Sequence, residues 1–365
     1  MKKVLFTLLI LCLLFALPIQ TSYVDSTAES VSRGIAYLNT AMKHTDYFPS
    51  YLLMSDTLPH TRKEDNSIFI HEVIVLALYP LRHNPQVKST IEKGIQYLNR
   101  EKSTYNGLTI FDYYGNNCSH TSASRCSCPD MDDTITAGLD LIMLGNAPRT
   151  YLAEIINKEI SKDGTVPMWL FGCRIKSKAL SSVLLIIQFE HDERISDPVV
   201  DANAYLGLML ADKDNVLLAR YLNNLNEHLS SYTPDYYPSV YIYTYAVTRA
   251  YRDGNGIRLK LSMPSLVRFI LARQSNDGCF GNALHTALAL SSLKNAGYRG
   301  NALIKASKCL ISKQGKDGSW PIEAFYINLP FPYIKKYIPT LTPNSYGSKA
   351  LTTALAIEAL STKAR

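Results

Sequence analysis

The feature that most constrains this chain is an internal repeat. Arg33-Gly34-Ile35-Ala36-Tyr37-Leu38-Asn39 matches Lys93-Gly94-Ile95-Gln96-Tyr97-Leu98-Asn99 in chemistry and spacing. Each copy precedes a turn-rich connection and a more apolar segment, Ile68–Leu81 in the first case and Asp132–Leu144 in the second. The same alternation runs on. A third unit extends from about Tyr151 to Val199–Leu210, and a fourth joins Ala219–Leu229 to Tyr236–Tyr251. A fifth joins Leu266–Gln274 to Asn282–Asn295, and a sixth Ala302–Gln314 to Ser348–Leu360. A repeated helix–turn–helix unit cannot bury its apolar face alone and must stack on its neighbours. Runs such as Leu284–Leu293 have no polar face, so the second helix of each pair is expected to be buried on nearly all sides. The pattern predicts an all-α fold, a single (α/α)6 barrel or toroid of six helical hairpins spanning residues 23–365. A closed ring needs no capping repeat, unlike an open solenoid.

Residues 1–22 stand outside that pattern. Met1-Lys2-Lys3 is basic, Val4–Ile19 is almost wholly apolar, and Gln20-Thr21-Ser22 is polar. This is the layout of a secretory signal peptide or, since the cleavage site is poor by the small-residue rule, of an uncleaved signal anchor. Cys12 lies in the apolar run without a lipobox around it. The expectation is an exported protein, periplasmic or secreted. No second stretch is long enough to span a bilayer.

The formal charge is +7, or +5 without Lys2 and Lys3, and the basic residues are scattered. They form no run interleaved with aromatics, which argues against nucleic-acid binding. Such a charge allows peripheral contact with an anionic membrane surface. Six cysteines remain after Cys12, an even number that in an exported chain suggests disulfides. Cys118, Cys126 and Cys128 crowd one loop with His120. A bridge, free thiols and a metal site are all open there, though the spacing fits no zinc pattern.

That loop leads into Cys128-Pro129-Asp130-Met131-Asp132-Asp133-Thr134, three carboxylates within four positions at the start of an apolar helix. Acidic residues suit a helix's first turn, where they meet free N–H groups and the positive end of the dipole. Crowded carboxyls in an apolar cavity also resist ionisation, and one held protonated can serve as a general acid. Both readings are open on the residues alone. Asp197-Pro-Val-Val-Asp201-Ala-Asn203 opens the third unit's inner helix at the same level, as a cap or as a polar contact for substrate. His71-Glu72 invites the same comment in the first unit.

Asp130-X-Asp132-Asp133-Thr134 resembles the Asp-X-Asp-Asp motif of class II terpene cyclases, the squalene–hopene cyclase type. Gln274-X3-Gly278-Cys279-Phe280 and Gln314-X3-Gly318-Ser319-Trp320 are similar to the QW repeat of those cyclases and of protein prenyltransferase subunits. The resemblance implies Asp132 as proton donor to an alkene or epoxide of an isoprenoid, with Asp130 and Asp133 as its supports. It implies no cofactor, and no metal site is assigned. Asp277, Cys279 and His285 are similar to prenyltransferase zinc ligands, but the His lies only six residues beyond the Cys. The cation so formed needs aromatic walls. Among 24 tyrosines against two tryptophans, Tyr113, Tyr114, Tyr241 and Tyr245 are the candidate substrate contacts, with Asp201 and Asn203 at the same end; Tyr236, Tyr237 and Tyr243 crowd the same unit. Two other functions fit the same pattern: a non-catalytic toroid binding a lipid or protein, and an exported carbohydrate-active (α/α)6 enzyme with carboxyl catalysts and tyrosine platforms. No Ser-His-Asp order, phosphate-cradling Gly loop or His-Glu-X-X-His is present.

Overall fold

The computed structural model describes residues 26–43, 47–53, 62–65, 67–105, 107–115, 130–170, 196–232, 236–327 and 344–364. The leader at 1–22 and Cys118, His120, Cys126, Cys128 and Cys173 lie outside the described residues.

Among the described residues twelve α-helices carry the fold, and they alternate in character as the repeat requires. The first of each pair is α1 (26–43), α3 (Pro85–Glu101), α5 (Tyr151–Glu159), α7 (Val216–Glu227), α9 (Met263–Leu271) and α11 (Asn301–Ser312). The second is α2 (Ile68–Leu78), α4 (Met131–Met143), α6 (Pro198–Leu210), α8 (Val240–Asp253), α10 (Ala283–Asn295) and α12 (Lys349–Ser361). In α3 only one stripe is buried, including Val87, Ile91, Gly94, Ile95 and Leu98; this i, i+3, i+4 spacing faces one side of a helix. In α10 nearly every residue is buried. Each fully buried Leu of such a helix stabilises the fold by about 1.5–3 kcal/mol. The second helices pack in succession, α2 on α4, α4 on α6, α6 on α8, α8 on α10, and α10 on α12, and α12 packs on α2.

The repeated glycines set the spacing between the two sets. A Cβ at Gly94 would lie 2.5 Å from Val75 Cγ2, and one at Gly34 would lie 2.9 Å from Ile357. Glycine there lets an outer helix sit closer to an inner one than any other residue allows.

The two Gln-X3-Gly turns have a common geometry. Gln274 Nε2 donates to the carbonyls of Gly278 and Ala302, each at 2.9 Å. Gln314 Nε2 donates to Gly318 O and Ser30 O, each at 2.8 Å, and its Oε1 accepts from Ser30 Oγ at 2.6 Å. The amide donates to carbonyls, tying its turn to the following outer helix. For Gln314 that helix is α1. Trp320 is fully buried, with its indole N–H on Leu310 O at 2.7 Å. Cys279 is disulfide-bonded to Cys309, joining this turn to α11.

The expected absence of strands needs correction. Four short strands, β1 (Tyr51–Leu53), β2 (Arg62–Glu64), β5 (Tyr326–Ile327) and β6 (Ser345–Gly347), form an antiparallel sheet in the order β2-β1-β6-β5. A hairpin of β3 (Ser103–Tyr105) and β4 (Leu108–Ile110) stands apart. Two or three residues per strand leave too little alternation to be seen in a sequence. The larger sheet joins segments far apart in the chain, and its β5 and β6 edge bears on the site.

Candidate active site

The acidic stretch begins α4. Asp130 is its N-cap, with Oδ1 accepting from Asp133 N at 2.7 Å. An antiparallel bridge between Asp130 and Trp169, with Met131 N donating to Met168 O at 2.8 Å, fixes the entry to the helix. Thr134 locks the previous loop, since its Oγ1 accepts from Phe111 N at 3.1 Å. The cap reading therefore holds for Asp130, whose carboxyl has a structural task.

Asp132 has no such task. It is 7% exposed, its Oδ2 accepts from the Tyr237 hydroxyl, and its Oδ1 is buried with no hydrogen-bond partner. Burial drives its pKa well above the ordinary carboxylate range, and the neighbouring Asp130 raises it further; the Tyr237 hydroxyl opposes this by favouring the ionised form. Asp133, 1% exposed, is also pushed well up, by burial first and by Asp130 next. Glu72 on α2 is wholly buried with neither carboxyl oxygen bonded. Burial raises its pKa far above normal, and Asp140, Asp130 and Asp132 add to this. Near the same loop, Asp112 is raised to about 6, mainly by burial.

A cavity of about 210 Å³ lies at this end of the inner helices. All three motif aspartates line it, together with Tyr113 and Tyr114. Tyr237 and Tyr236 come from the segment before α8, Phe69 from α2, and Tyr326 and Tyr346 from β5 and β6. The roof is cross-linked. Tyr326 and Tyr346 stack with centroids 4.9 Å apart, Tyr113 Oη bonds both Tyr326 Oη and Asp65, and Tyr114 Oη donates to Asp65 at 3.2 Å. The fourth wall is Met168 and Trp169, whose indole N–H is buried and without a partner.

The remaining candidates lie elsewhere. Asp201 accepts from Val166 N at 2.8 Å, the same service that Thr134 gives its own loop. Asn203 accepts from Arg249, which also lies over the Tyr245 ring at 5.0 Å, and Tyr245 Oη donates to Glu358 at 2.6 Å. These three belong to a buried polar layer deeper between the inner helices. Tyr241 packs on Phe280 and His285. None of the four is among the residues lining the cavity. Cys279, being oxidised, offers no thiolate beside Asp277 and His285. Among the described residues no group of three or more His, Cys, Asp and Glu is placed to hold a metal ion.

Sequence reasoning did not single out Phe69, Trp169, Tyr326 or Tyr346. Phe69 was reachable by register, because it takes the second position of α2 as Asp132 does of α4. Trp169 and the roof tyrosines sit in irregular segments or very short strands, where no periodicity signals an orientation.

The fold is that of the terpene cyclases. The type II terpene cyclase MstE from Scytonema, in a variant complexed with geranylgeranyl dihydroxybenzoate as substrate, matches with a TM-score of 0.70 at 14% identity, covering 93% of this chain and 98% of its own. The ent-copalyl diphosphate synthase of Streptomyces platensis matches at 0.53 and 14% identity, over 80% of this chain and 50% of its own. Candida albicans protein geranylgeranyltransferase-I, complexed with GGPP, matches at 0.52 and 13% identity, over 90% of each chain. At such identities the likeness establishes the shared fold. No family model matches the sequence, and no curated protein does so either.

Proposed function

We propose that this protein is a class II terpene-cyclase-like enzyme that starts isoprenoid cyclisation by protonation. The observation that carries the reading is Asp132 Oδ1, a buried and unpartnered carboxyl oxygen in the wall of an aromatic cavity. Burial raises the Asp132 pKa well above the ordinary carboxylate range and so favours its acid form, the form a proton donor needs before substrate arrives. Its proton passes to a terminal alkene carbon, or to an epoxide oxygen, and leaves a tertiary cation. An internal alkene then supplies its π pair to form the ring bond, and loss of a proton gives an isomer of the substrate. The faces of Tyr237, Phe69 and Trp169 attract the travelling cation, Asp130 and Asp133 support the acid form of Asp132, and the Tyr237 hydroxyl steadies the carboxylate left behind. Tyr113 and Tyr114 are substrate contacts in this reading. Tyr241, Tyr245, Asp201 and Asn203 act on the shape of the inner ring.

The succession of inner-helix contacts, with α12 on α2 and Gln314 on α1, supports a single closed (α/α)6 toroid. The leader-like segment 1–22 and the Cys279–Cys309 disulfide support export to an oxidising compartment. Mass measurement of the protein recovered from each cell fraction checks this; an intracellular, fully reduced protein with its leader intact would refute it.

Purified protein and Asp132→Asn are to be incubated with linear isoprenoids, their epoxides and prenyl diphosphates, and the products analysed by mass spectrometry. The expected result is an isomeric cyclic product whose formation falls by at least ~100-fold in the variant. Equal product from a folded Asp132→Asn protein would remove Asp132 from the chemistry.

A further inference from the structure

The cavity's own atoms narrow the ligand that it takes. Its described lining is eight aromatic side chains, Met168, Ile327 and three aspartates, and none of these residues carries a positive charge. Among the described residues three polar atoms of this lining have no partner, Asp132 Oδ1, Asp133 Oδ1 and the indole Nε1 of Trp169, and the indole N–H is the one that can only donate. A buried donor left unbonded costs free energy, and the cost is recovered when a ligand oxygen accepts from it. The Trp169 backbone is fixed by its bridge to Asp130, so this N–H and the acid are held on one rigid wall. A diphosphate would bring two or three negative charges into a site whose described lining offers no cation to pair with them, and burying unpaired charge is costly.

Size is the second bound. An apolar cavity of about 150 Å³ holds a benzene molecule. On that scale the ~210 Å³ here takes about eight to ten carbon atoms, the content of one new ring with its substituents.

Resting on the cyclase reading above, we propose that the substrate is a short prenyl compound of about ten carbons with an uncharged oxygen at its head, an alcohol, ketone or phenol, which accepts the hydrogen bond of Trp169 Nε1 while Asp132 faces the distal alkene. The Trp169 N–H then positions the head of the chain, while its ring face, which Trp169→Phe keeps, lines the path of the cation. The reaction keeps its balance. The Asp132 O–H bond breaks as a C–H bond forms at the distal alkene, the inner alkene's pair closes the ring, and the proton lost from the resulting cation returns to the carboxylate.

Binding and turnover are to be measured separately, on the full mature chain, with geraniol, geranyl diphosphate and the oxygen-free hydrocarbon myrcene. Variants are Trp169→Phe, which keeps the aromatic wall, and Asp132→Asn. Geraniol is expected to bind at least ~10-fold more tightly than geranyl diphosphate. Trp169→Phe should weaken geraniol by about 3- to 10-fold, the range of one neutral hydrogen bond, seen as a raised Kd and KM with kcat little changed. Myrcene binding should not move. Diphosphate binding or turnover equal to that of geraniol would overturn the ligand class while leaving acid-initiated cyclisation standing. Geraniol binding that depends on Trp169, with no product from wild type, would sink the cyclase reading and leave the ligand class intact. Equal loss of myrcene and geraniol in Trp169→Phe would show a packing effect and refute the hydrogen bond, and failure of all three compounds to bind would refute the proposal outright.

Discussion

Replacing Tyr237 by Phe removes one hydroxyl from the site and leaves its ring, which packs on Phe69 and Phe325. That hydroxyl donates to Asp132 Oδ2, and a donor bonded to a carboxyl favours the ionised form. Two influences thus oppose each other on Asp132: burial raises its pKa and Tyr237 restrains the rise. A hydrogen bond to a charged group is worth about 1.5–3 kcal/mol. Its loss should therefore raise the Asp132 pKa further. The sign matters more than the size. Deleting this side chain should make the acid weaker and extend its protonated range to higher pH.

The measurement needs no substrate. Protein carrying 13C at the aspartate carboxyls is titrated by NMR, and the Asp132 signal is assigned by its absence from Asp132→Asn. In Tyr237→Phe the midpoint should move to higher pH, while circular dichroism stays as in wild type. Any activity should extend further into the alkaline range, with a lower maximum because a weaker acid transfers its proton more slowly. An unmoved midpoint, or one moved downward in a folded variant, would refute the argument that Tyr237 tempers the acid.

Four other outcomes follow from particular contacts. Gln314→Ala removes three hydrogen bonds, two to Ser30 of α1 and one within the last Gln-X3-Gly turn, so urea unfolding should show a loss of about 2–3 kcal/mol; Gln274→Ala, with two bonds, should lose about 1–2 kcal/mol. Gly318→Ala meets φ +84° and places a Cβ 2.4 Å from Arg33 O, which should cost about 3 kcal/mol, whereas Gly107→Ala, at φ +78° with open space around it, should cost only the backbone strain of about 1–2 kcal/mol. Reducing Cys279–Cys309, which closes a loop of 30 residues, should lower stability by about 3–4 kcal/mol in denaturant titrations with and without reductant. Glu358 is raised from 4.5 to about 7 by burial, so its contribution is fully present below pH ~4.5 and lost as pH rises through ~7; wild type should lose about 3 kcal/mol over that window and Glu358→Gln should flatten the curve.

The helical skeleton was legible because each layer writes its own pattern. A stripe such as Val87, Ile91, Ile95 and Leu98 identifies an outer helix, and a run without a clean polar face such as Leu284–Leu293 identifies an inner one. Gly34 and Gly94 mark the tight contact between layers. The ends of the helices were legible through their caps, Asp130, Asp197, Asn282 and Ser348, each of which bonds a first-turn N–H. The roof of the cavity was not. Tyr326 and Tyr346 are brought to Tyr113 by strands of two and three residues, set by pairing between segments nearly three hundred positions apart. Tyr241 and Tyr245 shared the tyrosine-rich signal with Tyr237. Only Tyr237, two positions before its helix cap, reaches Asp132, because a helix turns 241 and 245 toward other neighbours.

The repeat itself supplies the control that the acidic motif lacks on its own. In three of the inner helices the fifth residue counted from the cap anchors the preceding loop: Thr134, Asp201 and Thr286 each accept from a backbone N–H, of Phe111, Val166 and Phe280; in α12 Thr353, one place later, holds Trp320 N. An acidic side chain at that place, as in Asp201, is therefore explained by the scaffold. The second residue of the helix is another matter. In the six second helices it is Phe69, Asp132, Val199, Tyr241, Leu284 and Ala350. Five of the six are apolar or aromatic and packed, which is what a buried position requires. Asp132 alone places a carboxyl there, with one oxygen unbonded. A cap, a loop anchor or a dipole partner would be served at neighbouring positions, and Asp130 and Thr134 already serve them. A buried carboxyl with one oxygen unbonded lowers stability, and replacing Asp132 by Leu should raise the unfolding temperature as it abolishes any acid-dependent activity. A protein destabilised by Asp132→Leu would instead mean that this carboxyl belongs to the scaffold.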